Sequence, residues 1–275
     1  MNSTVFKNQI LPLVLTVVVF GLLVALLFGE VHLLNLFTNE DISLSVRWTD
    51  ILIGLTVYLK TSIDFAIYIG NLMAKNEGWK SRISIEIGTA LGNALGTMVI
   101  LVIWAFFKEV KVLLAIMIFF AALVLFKLAE ESLEHAKHND NTFPLWFQKI
   151  VSRLERGLSL FNKAVAPLLK VMPSTKAKEA ANLSFWPLLV VAFTVPFILG
   201  LDDFAGYVSL FNIVNVFGFA IGVMLGHMIL NIFLYISPTH TIRAVKNPVI
   251  SFIGTLAFIG LGIWGLVEVV HVIGF

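Results

Sequence analysis

Cysteine is absent from the 275 residues, and charge is scarce, with Asp, Glu, Lys and Arg together making 13% of the chain. The first absence excludes disulfides, thiolate metal sites and cysteine nucleophiles. The second excludes a soluble enzyme, a nucleic-acid binder and a disordered chain, since a soluble domain carries about 25% charged residues. A net charge of +2 is too small to point to a polyanionic partner. Two motifs are missing as well: no G-x-x-x-x-G-K-[ST] loop for ATP, and no H-E-x-x-H box. The six histidines (His32, His135, His138, His227, His240, His271) are scattered over helix ends and loops. No cofactor is expected, and an intramembrane enzyme is the weaker reading.

What the chain does hold is hydrocarbon. Apolar residues make 59%, Phe alone numbers 24, and the mean hydropathy is +0.94. This composition belongs to a polytopic, all-α membrane protein whose first partners are lipids. A membrane helix needs about 20 predominantly apolar residues, and seven stretches meet that standard, near 10–36, 50–73, 84–107, 112–133, 185–211, 216–236 and 248–273. The first is too long for a signal-peptide core and lacks a small-residue cleavage pattern, so it reads as a retained helix.

Lys and Arg set the orientation. Lys7, then Lys75, Lys80 and Arg82, then Arg243 and Lys246 all fall in loops on one side, together with the eight basic residues of 136–183. The opposite loops carry less positive charge. The prediction is an N-terminus inside and a C-terminus outside, in the cytoplasmic membrane of a prokaryote. Within the connector, Phe147, Ile150, Val151, Leu154, Leu158, Phe161, Val165 and Leu168 recur at helical spacing across 143–172, and Lys149, Arg153, Arg156 and Lys163 lie mostly off that stripe. Such a helix suits an anionic leaflet surface; a helix packed under the bundle, or a linker, fits the same pattern.

The chain repeats itself. Asp64-Phe65-Ala66-Ile67-Tyr68 in the second span matches Asp203-Phe204-Ala205-Gly206-Tyr207 in the fifth, and Ile87-Gly88 through Gly92-Asn93 in the third matches Ile221-Gly222 through Gly226-His227 in the sixth. The fourth and seventh spans both end on Glu and His. Segments 50–135 and 184–275 therefore read as two copies of a three-helix unit, with 1–49 an added helix and outer loop and 136–183 a connector. Three spans per copy reverse the second copy in the membrane, an inverted repeat of the kind found in secondary transporters.

An ionisable residue at membrane depth costs about 2.5–3.5 kcal/mol on insertion scales, which makes it a candidate for function. Asp64 and Asp203 occupy repeat-equivalent depths. Asp202 has Ile63 as its counterpart. Lys60 shares the helical face of Asp64 and is a candidate counter-ion. Thr61 and Ser62 add neutral oxygens, and Pro187 and Pro196 are expected to interrupt the fifth span and free carbonyls beside the acids. Gly88, Gly92 and Gly96, like Gly218, Gly222 and Gly226, form small faces that allow close helix packing. Beside them run Glu86, Asn93 and Thr97 in one repeat and His227 and Asn231 in the other. Asn93 and His227 are equivalents and are expected to flank the two acids. Glu130, Glu131, Glu134 and His135 read as a solvated mouth.

These residues resemble the LysE transporter superfamily, above all its manganese exporters, the TerC-type proteins and the cadmium-resistance proteins. The resemblance rests on Thr61-Ser62-Ile63-Asp64 and the second Asp-Phe-Ala segment, and covers roughly 50–135 and 185–272. It implies a 3+3 inverted-repeat fold that exports a divalent cation through the acids at 64 and 203. TerC-type members often place Asn after the Asp, whereas Phe65 and Phe204 stand here.

The function expected is a secondary transporter exporting a small cation, with a divalent metal such as manganese as substrate, bound by Asp64, Asp203, Asn93 and His227 with Asn231, Thr61 and Ser62 nearby. Oxygen ligands with one imidazole suit Mn²⁺. Two ionised carboxylates repel, so one holds a proton until the metal displaces it, which gives cation–proton exchange. Lys60 keeps a second transport reading open, proton-coupled export of an amino acid or other organic solute. A homo-oligomer is compatible with either.

Overall fold

The computed structural model describes residues 10–137, 144–169, 182–245 and 247–274, apart from the side chains at 12, 64, 134–137, 169, 202–205 and 245. Lys7, Lys170, Lys176, Lys178 and Lys246, which entered the orientation, lie outside the described residues. Every regular element described is helical: α1 (Leu11–Leu34), α2 (Trp48–Thr61), α3 (Ile63–Lys75), α4 (Trp79–Phe107), α5 (Lys111–Lys137), α6 (Leu145–Leu169), α7 (Phe185–Tyr207), a 3₁₀ turn (Val208–Leu210), α8 (Val216–Ile236), α9 (Pro238–Val245) and α10 (Pro248–Ile273).

Five helices are long and apolar enough to cross a membrane, namely Leu13–Leu34 of α1, α4, Lys111–Leu133 of α5, α8 and α10. Joining α2 to α3 gives a sixth. These helices fit a multi-pass integral membrane protein. α1 and α10 are the least buried of the five, with Val14, Leu22, Leu26, Ile253 and Ile263 turned outward, while α4 and α8 are the most buried. Apolar side chains on the outside of a bundle are stable only where the surroundings are hydrocarbon.

Two expectations about helix continuity are corrected. The stretch 50–73 is broken at Ser62, where φ −81° and ψ 23° leave the helical region, and the two pieces meet at a 64° bend. Thr61 contributes: its Oγ1 donates to the Tyr58 carbonyl at 3.1 Å, a back-bond that bends helices. Conversely, the stretch around 185–207 is not interrupted by its prolines. Pro187 sits in the first turn, where no intrahelical N–H partner is needed, and α7 runs on through Pro196.

The most extensive helix pairs are α4 with α7, α5 with α10, and α2 with α8. Glycine makes the first and third possible. A Cβ on Gly92 would stand 2.3 Å from the Phe193 carbonyl oxygen of α7, and one on Gly222 would stand 2.2 Å from the Ile51 carbonyl oxygen of α2. The pair α5–α10 is stitched instead by hydroxyls: Ser132 donates to the Ser251 carbonyl at 2.8 Å and Thr255 to the Ala129 carbonyl at 3.2 Å.

α6 packs on this last pair. Phe147, Val151 and Leu158 are buried, Phe147 meets Phe252 of α10 at 5.0 Å between ring centroids, and the Asn162 amide donates to Glu130 Oε2 at 2.6 Å and to the Phe126 carbonyl at 3.1 Å. The amphipathic helix is thus packed against the bundle. Ile150, Phe161 and Leu168, expected on its inner stripe, are exposed together with Trp146 and Leu160.

Candidate functional site

The break between α2 and α3 brings two buried hydroxyls, those of Thr61 and Ser62, into the helical core. Asp64 begins α3, and Asp202 and Asp203 lie in the last turns of α7; their side chains lie outside the described residues, so the site is built from what surrounds them. Ser62 is 1% exposed, and its Oγ has no hydrogen-bond partner among the described residues. A buried hydroxyl without a partner is rare in folded proteins, and a water or an ion is what would serve it. Thr61, by contrast, is spent: besides its back-bond it shares a short hydrogen bond with the Tyr207 hydroxyl. That contact ties the break in the first repeat to the end of the Asp-Phe-Ala-Gly-Tyr segment in the second.

Asn93 is 5% exposed on α4 and abuts α7 at Gly200, where a Cβ would stand 3.0 Å from its carbonyl oxygen and 3.3 Å from Oδ1. Only glycine lets the two helices approach this closely, three residues before Asp203. His227, 4% exposed on α8, lies on the other side. The Phe65 ring packs 5.2 Å from it between centroids. Both ring nitrogens are engaged, Nδ1 with the Tyr58 hydroxyl at 2.9 Å and Nε2 with Asn231 Nδ2 at 3.0 Å. With the amide placed this way Nε2 accepts, so Nδ1 carries the proton and donates to Tyr58. A metal taking His227 as ligand must displace one of these two partners.

Asn231, fully buried, extends the chain of contacts. Its Nδ2 also faces Glu86 Oε2 at 3.1 Å and Thr89 Oγ1 at 3.4 Å. Glu86, 1% exposed on α4, has the hydroxyls of Tyr235 and Thr16 as further partners. A polar line therefore crosses the core from α2 (Tyr58) through α8 (His227, Asn231) to α4 (Glu86) and α1 (Thr16). Sequence reasoning placed His227, Asn231 and Glu86 on one stripe but missed Tyr58, Thr89, Tyr207 and Tyr235. A signal existed. Only four tyrosines stand against 24 phenylalanines, and where Phe suffices for hydrocarbon, Tyr marks a needed hydroxyl.

Lys60 reaches across to α10, where its Nζ donates to the Ile250 carbonyl at 3.1 Å and its stem runs beside Gly254. With Thr61, Ile63, Glu131, Ser132 and Phe258 it lines a cleft of about 20 Å³, room for one water. The cleft lies between the break and the end of α5 where Glu131 pairs with Lys127 at 3.7 Å. Among the described residues no three His, Asp or Glu side chains gather into a metal site. No family model matches the chain, and no curated protein or solved structure shows significant similarity to it.

Proposed function

We propose that the protein is a secondary transporter that exports a small divalent cation of the class that takes oxygen ligands, such as Mn²⁺, in exchange for protons. The observation that carries the reading is the helix break at Ser62, whose buried Oγ has no partner among the described residues and which stands two positions before Asp64 in the chain. Backbone that leaves the helix inside a membrane is tolerated where it lines a cavity or a site. Asp64, Asp203 and Asn93 supply the charged and amide oxygens, and Ser62 Oγ a neutral one. His227 and Asn231, already engaged with each other, stand behind them and hold α3 through the ring of Phe65. Lys60 acts as counter-ion at the inner cleft.

The packing supports an inverted repeat of seven spans, α7 being the fifth. Exchanging the first unit (α2–α3, α4, α5) for the second (α7, α8, α10) turns the pair α2–α8 into the pair α7–α4 and maps α5–α10 onto itself. All three pairs are the most extensive in the molecule, as a twofold axis in the membrane plane would require. Two equivalent halves can exchange shapes, which opens one site to alternate sides. The short resemblance to the LysE superfamily points the same way.

The test is uptake into proteoliposomes with a panel of divalent metals and amino acids under an imposed pH gradient. Mn²⁺ should accumulate against the proton gradient, and Asp64→Asn and Asp203→Asn should each abolish accumulation while the purified variants remain folded, because a neutral isostere relieves buried charge. Amino-acid transport without metal transport, or two variants at normal rates, would overturn the metal reading.

A further inference from the structure

Glu86 is a buried carboxyl that the binding reading does not use. It lies two turns inside α4, at the same end of the bundle as Thr16 near the start of α1 and Tyr235 at the end of α8. It stands in no ion pair among the described residues. A carboxylate without a cation in hydrocarbon costs several kcal/mol, and this burial is what favours the neutral acid over the hydrogen bonds that its neighbours offer. The Tyr235 hydroxyl gives its proton to the Arg82 carbonyl at 2.9 Å, so it meets Glu86 as an acceptor. Asn231 Nδ2 donates to Oε2. A protonated Glu86 thus accepts at one oxygen and donates from the other, and every group is served. The groups packed against it are Tyr235 and Asn231 from α8, Thr16 from α1 and Arg82 from its own helix; Arg82, the charged one, bears on Tyr235.

Asn231 connects this acid to the helix break. Its two amide protons face three acceptors, Glu86 Oε2, Thr89 Oγ1 and His227 Nε2, while its Oδ1 is buried without a partner. Turned over, the amide would present Oδ1 to an O–H of Glu86 and an N–H of His227, moving the imidazole proton from Nδ1 to Nε2. Tyr58, whose hydroxyl meets Nδ1, would then become the donor. With Glu86 ionised, Oε2 only accepts and the amide stays as it is; a proton on Oε2 favours the turned amide, so Asn231 passes that proton's presence to Tyr58, which precedes the break by a single turn.

We infer that Glu86 is a proton-binding site, separate from the two aspartates, that is linked through Asn231 and His227 to the helix break at Ser62 and couples proton binding to its geometry. The inference rests on the transporter reading for its purpose, but the existence of the proton site does not. The first test is therefore spectroscopic, on the full chain reconstituted in lipid without metal: infrared difference spectra across a pH series. A protonated-carboxyl stretch should be present that Glu86→Gln removes, Asp64→Asn retains, and Tyr235→Phe shifts in frequency. An unchanged band in both Glu86→Gln and Tyr235→Phe overturns the inference; if Glu86→Gln does not fold, Tyr235→Phe alone decides. In proteoliposomes Glu86→Gln should also weaken the dependence of Mn²⁺ transport on the pH gradient. Wild-type protein that moves no metal yet shows the Glu86 band would refute the transporter reading and leave the proton site standing.

Discussion

At the residue scale, the core depends on hydroxyls and amides placed where hydrocarbon offers no substitute. All four tyrosines are buried, and each hydroxyl meets a partner on another helix: Tyr58 at His227, Tyr68 at the Val191 carbonyl, Tyr207 at Thr61, and Tyr235 at the Arg82 carbonyl. Tyr58→Phe removes the oxygen and leaves His227 Nδ1 buried and unserved, at a cost of about 1–3 kcal/mol. Thermal unfolding of the purified variant in detergent should show a clear drop in midpoint; an unchanged midpoint would mean that water replaces the hydroxyl and that the polar line is open to solvent. The aspartates that the repeat singled out from sequence fall at the break and near the end of α7. Ser62 was legible as an oxygen near Asp64. That its hydroxyl is left over while that of Thr61 is used follows only from which helix comes within reach of each.

At the element scale, glycine decides which helices touch. The stripes Gly88–Gly92 and Gly222–Gly226 were readable as packing faces, and in the structure Gly88 and Gly92 receive the backbone of α7, Gly222 that of α2, and Gly226 the Tyr58 side chain. Gly92→Ala should therefore destabilise, because its Cβ would sit 2.3 Å from a carbonyl oxygen that belongs to a helix and cannot yield cheaply; overpacking of this kind costs about 1–3 kcal/mol. Gly21→Ala on α1 is the control, with nothing within 4 Å of the added carbon and a gain of about 0.5–1 kcal/mol in helix stability. Paired unfolding curves check both, and equal effects would show that α4 and α7 can separate to make room. Continuity was less legible. Proline marked α7 as the broken helix, yet a missing N–H costs little in the first turn, and around Pro196 the helix is clamped along the glycine face of α4. The true break sits at Ser62, a residue with no strong local preference of this kind, where Thr61 bonds its own helix and another helix at once.

At the scale of the whole molecule, the freedom from cysteine allows background-free topology mapping. Single substitutions Ser152→Cys on α6 and Thr239→Cys on α9 should react with a membrane-impermeant thiol reagent only from the cytoplasmic side, and Ser45→Cys before α2 only from outside. Labelling of Thr239→Cys from outside would overturn the inverted arrangement. One end of the bundle is knit together across the sequence: Asn39 donates to Glu109, Lys108 to the Glu40 carbonyl, and Asn215 to the Ser43 carbonyl at 2.9 Å. Lys108 loses part of its hydration there, and burial lowers its pKa from the ordinary lysine value against the opposing pull of Glu40, Glu109 and Asp41. The sequence by itself determined the solvent, the helical class and nearly all helix positions, because each follows from local hydropathy and from the length needed to cross hydrocarbon. What only the tertiary structure decided is which polar groups find one another: His227 with Tyr58 rather than standing open to a ligand, Lys60 with α10, Glu86 with α8 and α1, and α6 with the bundle. Those partners lie up to 190 residues apart. Where a buried group must be satisfied by whatever helix the glycine faces bring alongside, spacing along the chain carries no record of the match.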